Sequence, residues 1–190
     1  KTVERGTLFE AMDKFDRDAF EFVSGARARK AFDINSEDPK LRDSYGRSNW
    51  GQSTMLARRL VEAGSTFVTV HFGGWDHHWN LESGYKSVLP RVDKAVSGLL
   101  KDLSDRGMLE STLVILCGEF SRTPRMNNGG NGGPAGSKGT PGRDHWGNSL
   151  FCLLAGGGIR GGQVIGSTNA KGERPLSRAV KPCNLHATIY

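Results

Sequence analysis

Residues 65–72 read "STFVTVHF". Alternating β-branched and aromatic residues over eight positions predict a β-strand, and their apolar content predicts a buried one. The residues that follow decide the fold. From Leu81 to Arg106, Val88, Val92, Ala95/Val96, Leu99 and Leu103 recur at helical spacing, with Pro90 as a start or kink and Gly107 as the stop. "STLVILC", residues 111–117, then predicts a second buried strand. Strand, amphipathic helix and strand make a βαβ unit, whose crossover joins parallel strands. Neighbouring strands lie about 4.8 Å apart, so the loops leaving their carboxyl ends share one rim of the sheet. Open α/β folds place their ligand crevice at that rim.

Working outward, "TLFEAMDKFDRDAFEFVSGARARKAF" (residues 7–32) carries Leu8, Met12, Phe15, Ala19 and Phe22/Val23 at spacings of three and four, which predicts an amphipathic helix. "NSEDPKLRDSYGR" is a turn-rich connector with one short helix. "NWGQSTMLARRLVEAG" is a second helix with Met55/Leu56, Leu60 and Ala63 on one face and Gly64 as its stop. Beyond the second strand, residues 127–142 ("NNGGNGGPAGSKGTPG") have no hydrophobic periodicity and predict a flexible Gly-rich insertion. A strand is expected at 149–155, antiparallel to the others because its polar motif precedes it, then a short strand, a turn and the start of a helix. The expected fold is therefore α/β: a doubly wound, mostly parallel sheet with helices on both faces and one antiparallel strand. Residues 1–190 are expected to form a single domain.

The composition is globular, and the net charge of +6 comes from scattered Lys and Arg with no basic run interleaved with aromatics, so nucleic acid is not an expected partner. No stretch approaches the roughly 20 apolar residues of a membrane span. Cys117 and Cys152 lie in apolar runs and are expected to be small buried hydrophobes; Cys183 is the third cysteine. Lys at position 1 and the apolar ending "LHATIY" are expected of a piece of a longer protein.

Two phosphate-loop lookalikes carry no ligand. "GGGIRGG" follows a strand but opens no helix, so the anion-binding helix terminus is absent, and "GSKGT" lacks the adjacent Gly-Lys-Ser/Thr. The informative stretch is "HFGGWDHHWN", which holds three of the five histidines. Asp76 and His78 are two apart and share a side in an extended segment, whereas His77 faces away. Glu119 stands two residues beyond a strand end, and Asp144-His145 lies beside Trp146, a candidate wall for a site. Together Asp76, His78, Glu119 and His145, with Asp144 and His77 as further candidates, have the carboxylate–imidazole mix of a divalent-metal site drawn from several loops. Arg122 and Arg143 flank them as candidate anion-binding residues. The plainer reading makes these side chains a structural polar network, and for His71 and His186 that reading is favoured.

"RRLVEAGSTFVTVHFGGWDHHWN", "VILCGEFSRTPRMN", "GRDHW" and "LLAGGGIRGGQVIGSTNAKGE" together resemble the bacterial domain of unknown function 1501 family, a sulfatase-like branch of the alkaline phosphatase superfamily. The resemblance runs from about Ala31 to the C-terminus. It implies an alkaline-phosphatase-like sheet, of which this chain is the C-terminal part, and divalent metal ions (Zn or Mn, with Ca or Mg as alternatives). By the same resemblance Asp76 and His78 match a "WD-x-H" metal motif, Glu119 the acidic ligand of "GEF", and His145 the last metal histidine. Phe120 stands where superfamily relatives place a His. The nucleophile is expected outside this chain, in a missing N-terminal part of the same domain. The implied activity is hydrolysis of phosphate or sulfate esters, acting on a small anionic ester or a sulfated or phosphorylated glycan, in a periplasmic or exported bacterial protein. The alternative is a non-catalytic anion- or glycan-binding module with a partly degraded metal site.

Overall fold

The computed structural model describes residues 14–129 and 139–190. The start of the expected first helix and the centre of the Gly-rich insertion lie outside those residues. The chain divides into two compact units, one made of the residues up to Phe72 with Arg91–Leu99, the other of Gly73–Pro90 with Leu100–Tyr190.

In the first unit, helices α1 (Lys14–Ser24) and α2 (Ala26–Phe32) replace the continuous expected helix, because Gly25 interrupts it. The short helix of the connector is α3 (Pro39–Tyr45), capped by the Asp38 carboxylate, which accepts from the Lys40 backbone N–H at 2.7 Å. Helix α4 (Asn49–Glu62) is capped by the Ser48 hydroxyl and buries Met55. Ala28, Ala31, Tyr45, Met55 and Ala95 form the apolar core of this unit. A buried ionic knot crosses it. Arg58, wholly buried, donates to Glu37 at 2.8 Å and to Glu62 at 2.6 Å. Arg59 pairs with the same Glu37 and donates to the Ala31 carbonyl at 2.7 Å, the Ser36 hydroxyl at 3.1 Å and the Lys30 carbonyl. Burial pushes the Glu37 carboxyl up, but the hydrogen bonds and charges of both guanidinium groups outweigh it and hold the carboxyl below its ordinary value.

The doubly wound parallel sheet does not form. Residues 65–72 make no strand among the described residues. They lie along α4, where Val68 and Val70 line a hollow with Leu56 and Leu60, and Phe72 stacks on Trp50 at 5.1 Å. β-propensity describes fit to a pleated, half-buried surface, so a β-branched stretch without a partner strand forms no ladder. Apolar alternation supplied the face, and α4 covers it instead of a sheet.

Helix α5 begins at Leu81 and runs unbroken through Pro90 to Asp105; its segment Arg91–Leu99 belongs to the first unit and the rest to the second. Strand β1 (Val114–Cys117) pairs antiparallel with β4 (Cys152–Ala155), in the register Val114↔Ala155 to Cys117↔Cys152. Between them β2 (Ser121–Arg122) pairs antiparallel with β3 (His145–Trp146), and later β5 (Ser167–Thr168) with β6 (Pro175–Ser177). Every described ladder is two-stranded and antiparallel. Among the described residues no crossover helix lies between β1 and β4, and the chain returns by reversing direction, so the pair is antiparallel. Gly156, at φ +72, turns the chain out of β4; a Cβ there would lie 2.4 Å from the Thr112 carbonyl oxygen. Cys117 and Cys152, expected in the core, are exposed, because a two-stranded ribbon leaves a face uncovered. The last helix, α6 (Pro182–Ile189), closes the chain.

Candidate metal centre

The second unit brings together the residues the sequence set 66 to 69 positions apart. Four backbone features do this. In "WDHH" the His77 N–H donates to the Trp75 carbonyl at 2.9 Å and the His78 N–H to the Asp76 carbonyl at 3.1 Å, two successive i→i+2 turns. That tight ribbon leaves Asp76 and His78 at one locus. The insertion is closed at its base, where Asn127 and Gly142 form an isolated antiparallel bridge. Gly142 then carries the chain against His78: a Cβ at Gly142 would sit 1.9 Å from the His78 carbonyl oxygen, so only glycine fits. Finally the β2–β3 ladder sets His145 opposite Arg122.

The result is a triangle of donor atoms. His145 Nε2 lies 2.9 Å from Asp76 Oδ1, His78 Nε2 lies 3.0 Å from the same oxygen, and the two imidazole nitrogens are 3.2 Å apart. Tetrahedral ligands at about 2.0–2.1 Å from zinc lie roughly 3.3 Å from one another, close to these edges. On the far side of its ring, His78 Nδ1 faces Asp144 Oδ1 at 2.8 Å, and Asn127 Nδ2 donates to that oxygen at 3.2 Å. A carboxylate on Nδ1 fixes the tautomer that leaves Nε2 with its lone pair directed into the triangle, as second-shell carboxylates do for ligating histidines. Hydrogen bonds from His78 and then Asn127 hold the Asp144 carboxyl below its ordinary value.

With both rings neutral, the triangle's three edges share one imidazole proton, while Arg122 donates to Asp76 Oδ1 from outside at 2.8 Å. His145 Nε2–H can serve Asp76 or His78, and the His78 lone pair then faces the Asp76 carboxylate at 3.0 Å. Such an arrangement is relieved by a second proton or by a cation in the middle. Hydrogen bonds from His145 and then Arg122, with the charges of His78 and Arg122, hold the Asp76 carboxyl far below the usual range, so it is anionic at any ordinary pH. The three donor atoms lie within 4.8 Å of one another, and the face is open: Asp76 is 68% and His145 51% exposed.

The remaining expected residues are placed differently. Glu119 is exposed and stands outside the three-residue donor group. His77 turns away, its ring edge-on to Tyr85 at 5.4 Å and packed on Gly84, where a Cβ would come within 2.1 Å. Arg122 gives its guanidinium to Asp76 at 2.8 Å, to the Trp75 carbonyl at 2.9 Å and to the Arg143 carbonyl at 3.2 Å. Arg143 donates to the Thr123 carbonyl at 3.1 Å, so both arginines tie loop to loop. Trp146 donates to the Glu173 carbonyl at 2.7 Å and anchors the β5–β6 turn; the ring that walls the cluster is Phe120, 4.3 Å from His145. His71 and His186 are exposed and outside the donor group.

Sequence reasoning missed Asn127 as a positioning residue. Its side-chain oxygen accepts from Gly129 N–H at 2.9 Å and Gly142 N–H at 3.1 Å while its amide supports Asp144. An Asn at the mouth of a Gly-rich insertion was the available signal, since such side chains bond neighbouring backbone in turns.

Over a small antiparallel scaffold the chain gathers two imidazoles and a carboxylate from two loops, a group that could hold a metal ion. Its family is shown directly: a family model described as "Protein of unknown function (DUF1501)" matches residues 2–190, and the chain belongs to that family. No curated protein and no solved structure matches it. Among the described residues no helix is long and apolar enough to cross a membrane.

Proposed function

We propose that Asp76, His78 and His145 hold a divalent metal ion and that this centre serves hydrolysis of phosphate or sulfate esters. One observation carries the metal site: a carboxylate oxygen and two imidazole nitrogens, drawn from two loops, face each other at 2.9–3.2 Å. Two imidazoles with one carboxylate suit Zn or Mn better than Ca or Mg, whose preferred shells are all oxygen. The same set also suits ferrous iron. Three protein donors are the number used by catalytic zinc sites, which keep one position for water or substrate. An ion held there would supply Lewis acidity to an ester oxygen and offset its developing charge.

The chain's own residues would do the rest. Asp144 and Asn127 orient His78; Arg122 fixes Asp76; Phe120 limits water on one side of His145. The sulfatase-like branch of the alkaline phosphatase superfamily, and an exported location, are supported only by the motif resemblance. Glu119 would join as a ligand only after its loop moves.

The test is elemental analysis of protein purified without chelator, with Zn²⁺ and Mn²⁺ titrations and a panel of phospho- and sulfo-esters. One ion per chain, lost in His78→Ala, together with metal-dependent ester cleavage, is the expected result. Equal affinity in native protein and His78→Ala would remove the metal site. Metal binding without turnover of any ester would replace hydrolysis by the binding-module alternative.

A further inference from the structure

We propose that Cys117 and Cys152 are a dithiol pair that closes into a redox-labile cross-strand disulfide, stapling the loop that carries His145 and the residues around it. The two cysteines are direct partners in the β1–β4 register, at the end of the ladder where β1 leaves and β4 begins. Directly opposed residues in an antiparallel pair have Cα atoms about 4.5–5.5 Å apart and side chains on one face. That span lies within the roughly 4.4–6.8 Å over which a disulfide forms. Both thiols are free and exposed, so a small oxidant reaches them.

The pair is also placed to matter. Cys117 is three residues before Phe120 and five before Arg122; Cys152 is seven residues after His145. A bond between them would close one covalent loop containing Phe120, Arg122, Asn127, Asp144 and His145. In the reduced state the described part of that loop is held by non-covalent contacts: the short β1–β4 and β2–β3 ladders, the Asn127–Gly142 bridge and the hydrogen bonds of Arg122 and Arg143. This inference does not depend on the metal reading.

The oxidant is a disulfide of low molecular weight, such as oxidised glutathione. The Cys117 thiolate attacks one sulfur of that disulfide, a mixed disulfide forms, and one glutathione thiolate leaves and takes up a proton. The Cys152 thiolate then attacks the Cys117 sulfur, the intramolecular bond forms, and the second glutathione leaves as a thiol. Two protein thiols are oxidised and one glutathione disulfide is reduced to two thiols. Burial and the neighbouring Cys117 push the Cys152 thiol up, which keeps it protonated during the first attack and assigns it the resolving step. An exposed cross-strand bond belongs to the more readily reduced class of disulfides, hence its lability.

The experiment compares the full chain and Cys183→Ser after incubation with oxidised glutathione or with dithiothreitol. Oxidised Cys183→Ser should lose two hydrogens by intact mass, and non-reducing peptide mapping should show one peptide joining Cys117 to Cys152. Its melting temperature should rise by roughly 5–10 °C over the reduced form, with the rise absent in Cys117→Ser and in Cys152→Ser. Separate glutathione adducts on the two cysteines, a bridge from either to Cys183 in the full chain, or a joined peptide with no rise in melting temperature would overturn the proposal.

Discussion

The two compact units each contain a cluster of carboxylates and cations, and the clusters are built on opposite principles. In the Glu37–Arg58–Arg59 knot donors meet acceptors: guanidinium groups on carboxylates and backbone carbonyls, with Arg58 fully buried and Glu37 only 12% exposed. In the Asp76–His78–His145 triangle a carboxylate oxygen and two imidazole nitrogens, each able to accept, lie 2.9–3.2 Å apart, and the face is open to solvent. A complementary buried cluster is complete in itself and fixes how helices meet. An exposed cluster of close ligand atoms is open to a further component, a cation on the reading proposed above. Polarity alone does not distinguish a site from a strut; the balance of donors and acceptors does.

The sharpest way to break this comparison is to unbalance the knot. Glu37→Ala leaves two guanidinium groups facing each other, and removing one partner of a buried pair costs about 3–5 kcal/mol. Urea unfolding should show that loss, with a melting temperature lower by ~10 °C. A loss below ~1 kcal/mol, typical of a surface pair, would mean that water already serves both arginines.

Next in size is the reverse experiment. His78→Ala with His145→Ala should change unfolding in chelator by less than about 1 kcal/mol, since the hydrogen bonds it removes lie on an exposed face. It should also abolish the gain from metal, which for the native chain at about 100 times its dissociation constant is ~2.7 kcal/mol. Metal stabilisation that survives in the double variant would place the ion elsewhere.

pH separates the two clusters further. Glu37 has its carboxyl lowered from 4.5 in the folded state, so the knot contributes fully above that value, and its contribution is lost as pH falls through the lower folded value. Urea midpoints taken from pH 7 down to about pH 3 should fall for the native chain and stay flatter for Glu37→Gln. Metal affinity should also fall with acid, because protons compete for imidazole nitrogens. An affinity independent of pH would exclude histidine ligands.

Smaller effects test the geometry. Asp144→Asn should weaken metal binding about 10–100-fold by loosening the His78 tautomer. His77→Gln should leave metal affinity within about twofold, because His77 packs on Tyr85 and Gly84 away from the triangle. Isothermal titration of each variant measures both.

Much of the helical structure was legible in local pattern. Spacings of three and four with a Gly stop gave the helices over 49–62 and 81–105, and Ser48 and Asp38 cap where short polar side chains cap best. The period-two argument also separated His78 from His77. The sheet was not legible, and two similar stretches show why. "STLVILC" and "STFVTVHF" share β-branched composition, yet only the first holds a ladder, through Val114–Cys117 with β4. Nothing within either stretch says whether a partner strand will come.

The sequence by itself determined the donor chemistry: an Asp and two His at positions where turns and glycines let backbones approach, and cysteines in number but not in pairing. Only the tertiary structure decided which donors meet. Gly142 against His78 and the β2–β3 register bring in His145, while Glu119 stays on an exposed turn and Cys117 comes opposite Cys152. The physical reason is range. Periodicity and capping act within a few residues, whereas these meetings close loops of tens of residues, and which loop closes depends on the total of ladders and packing along the whole chain.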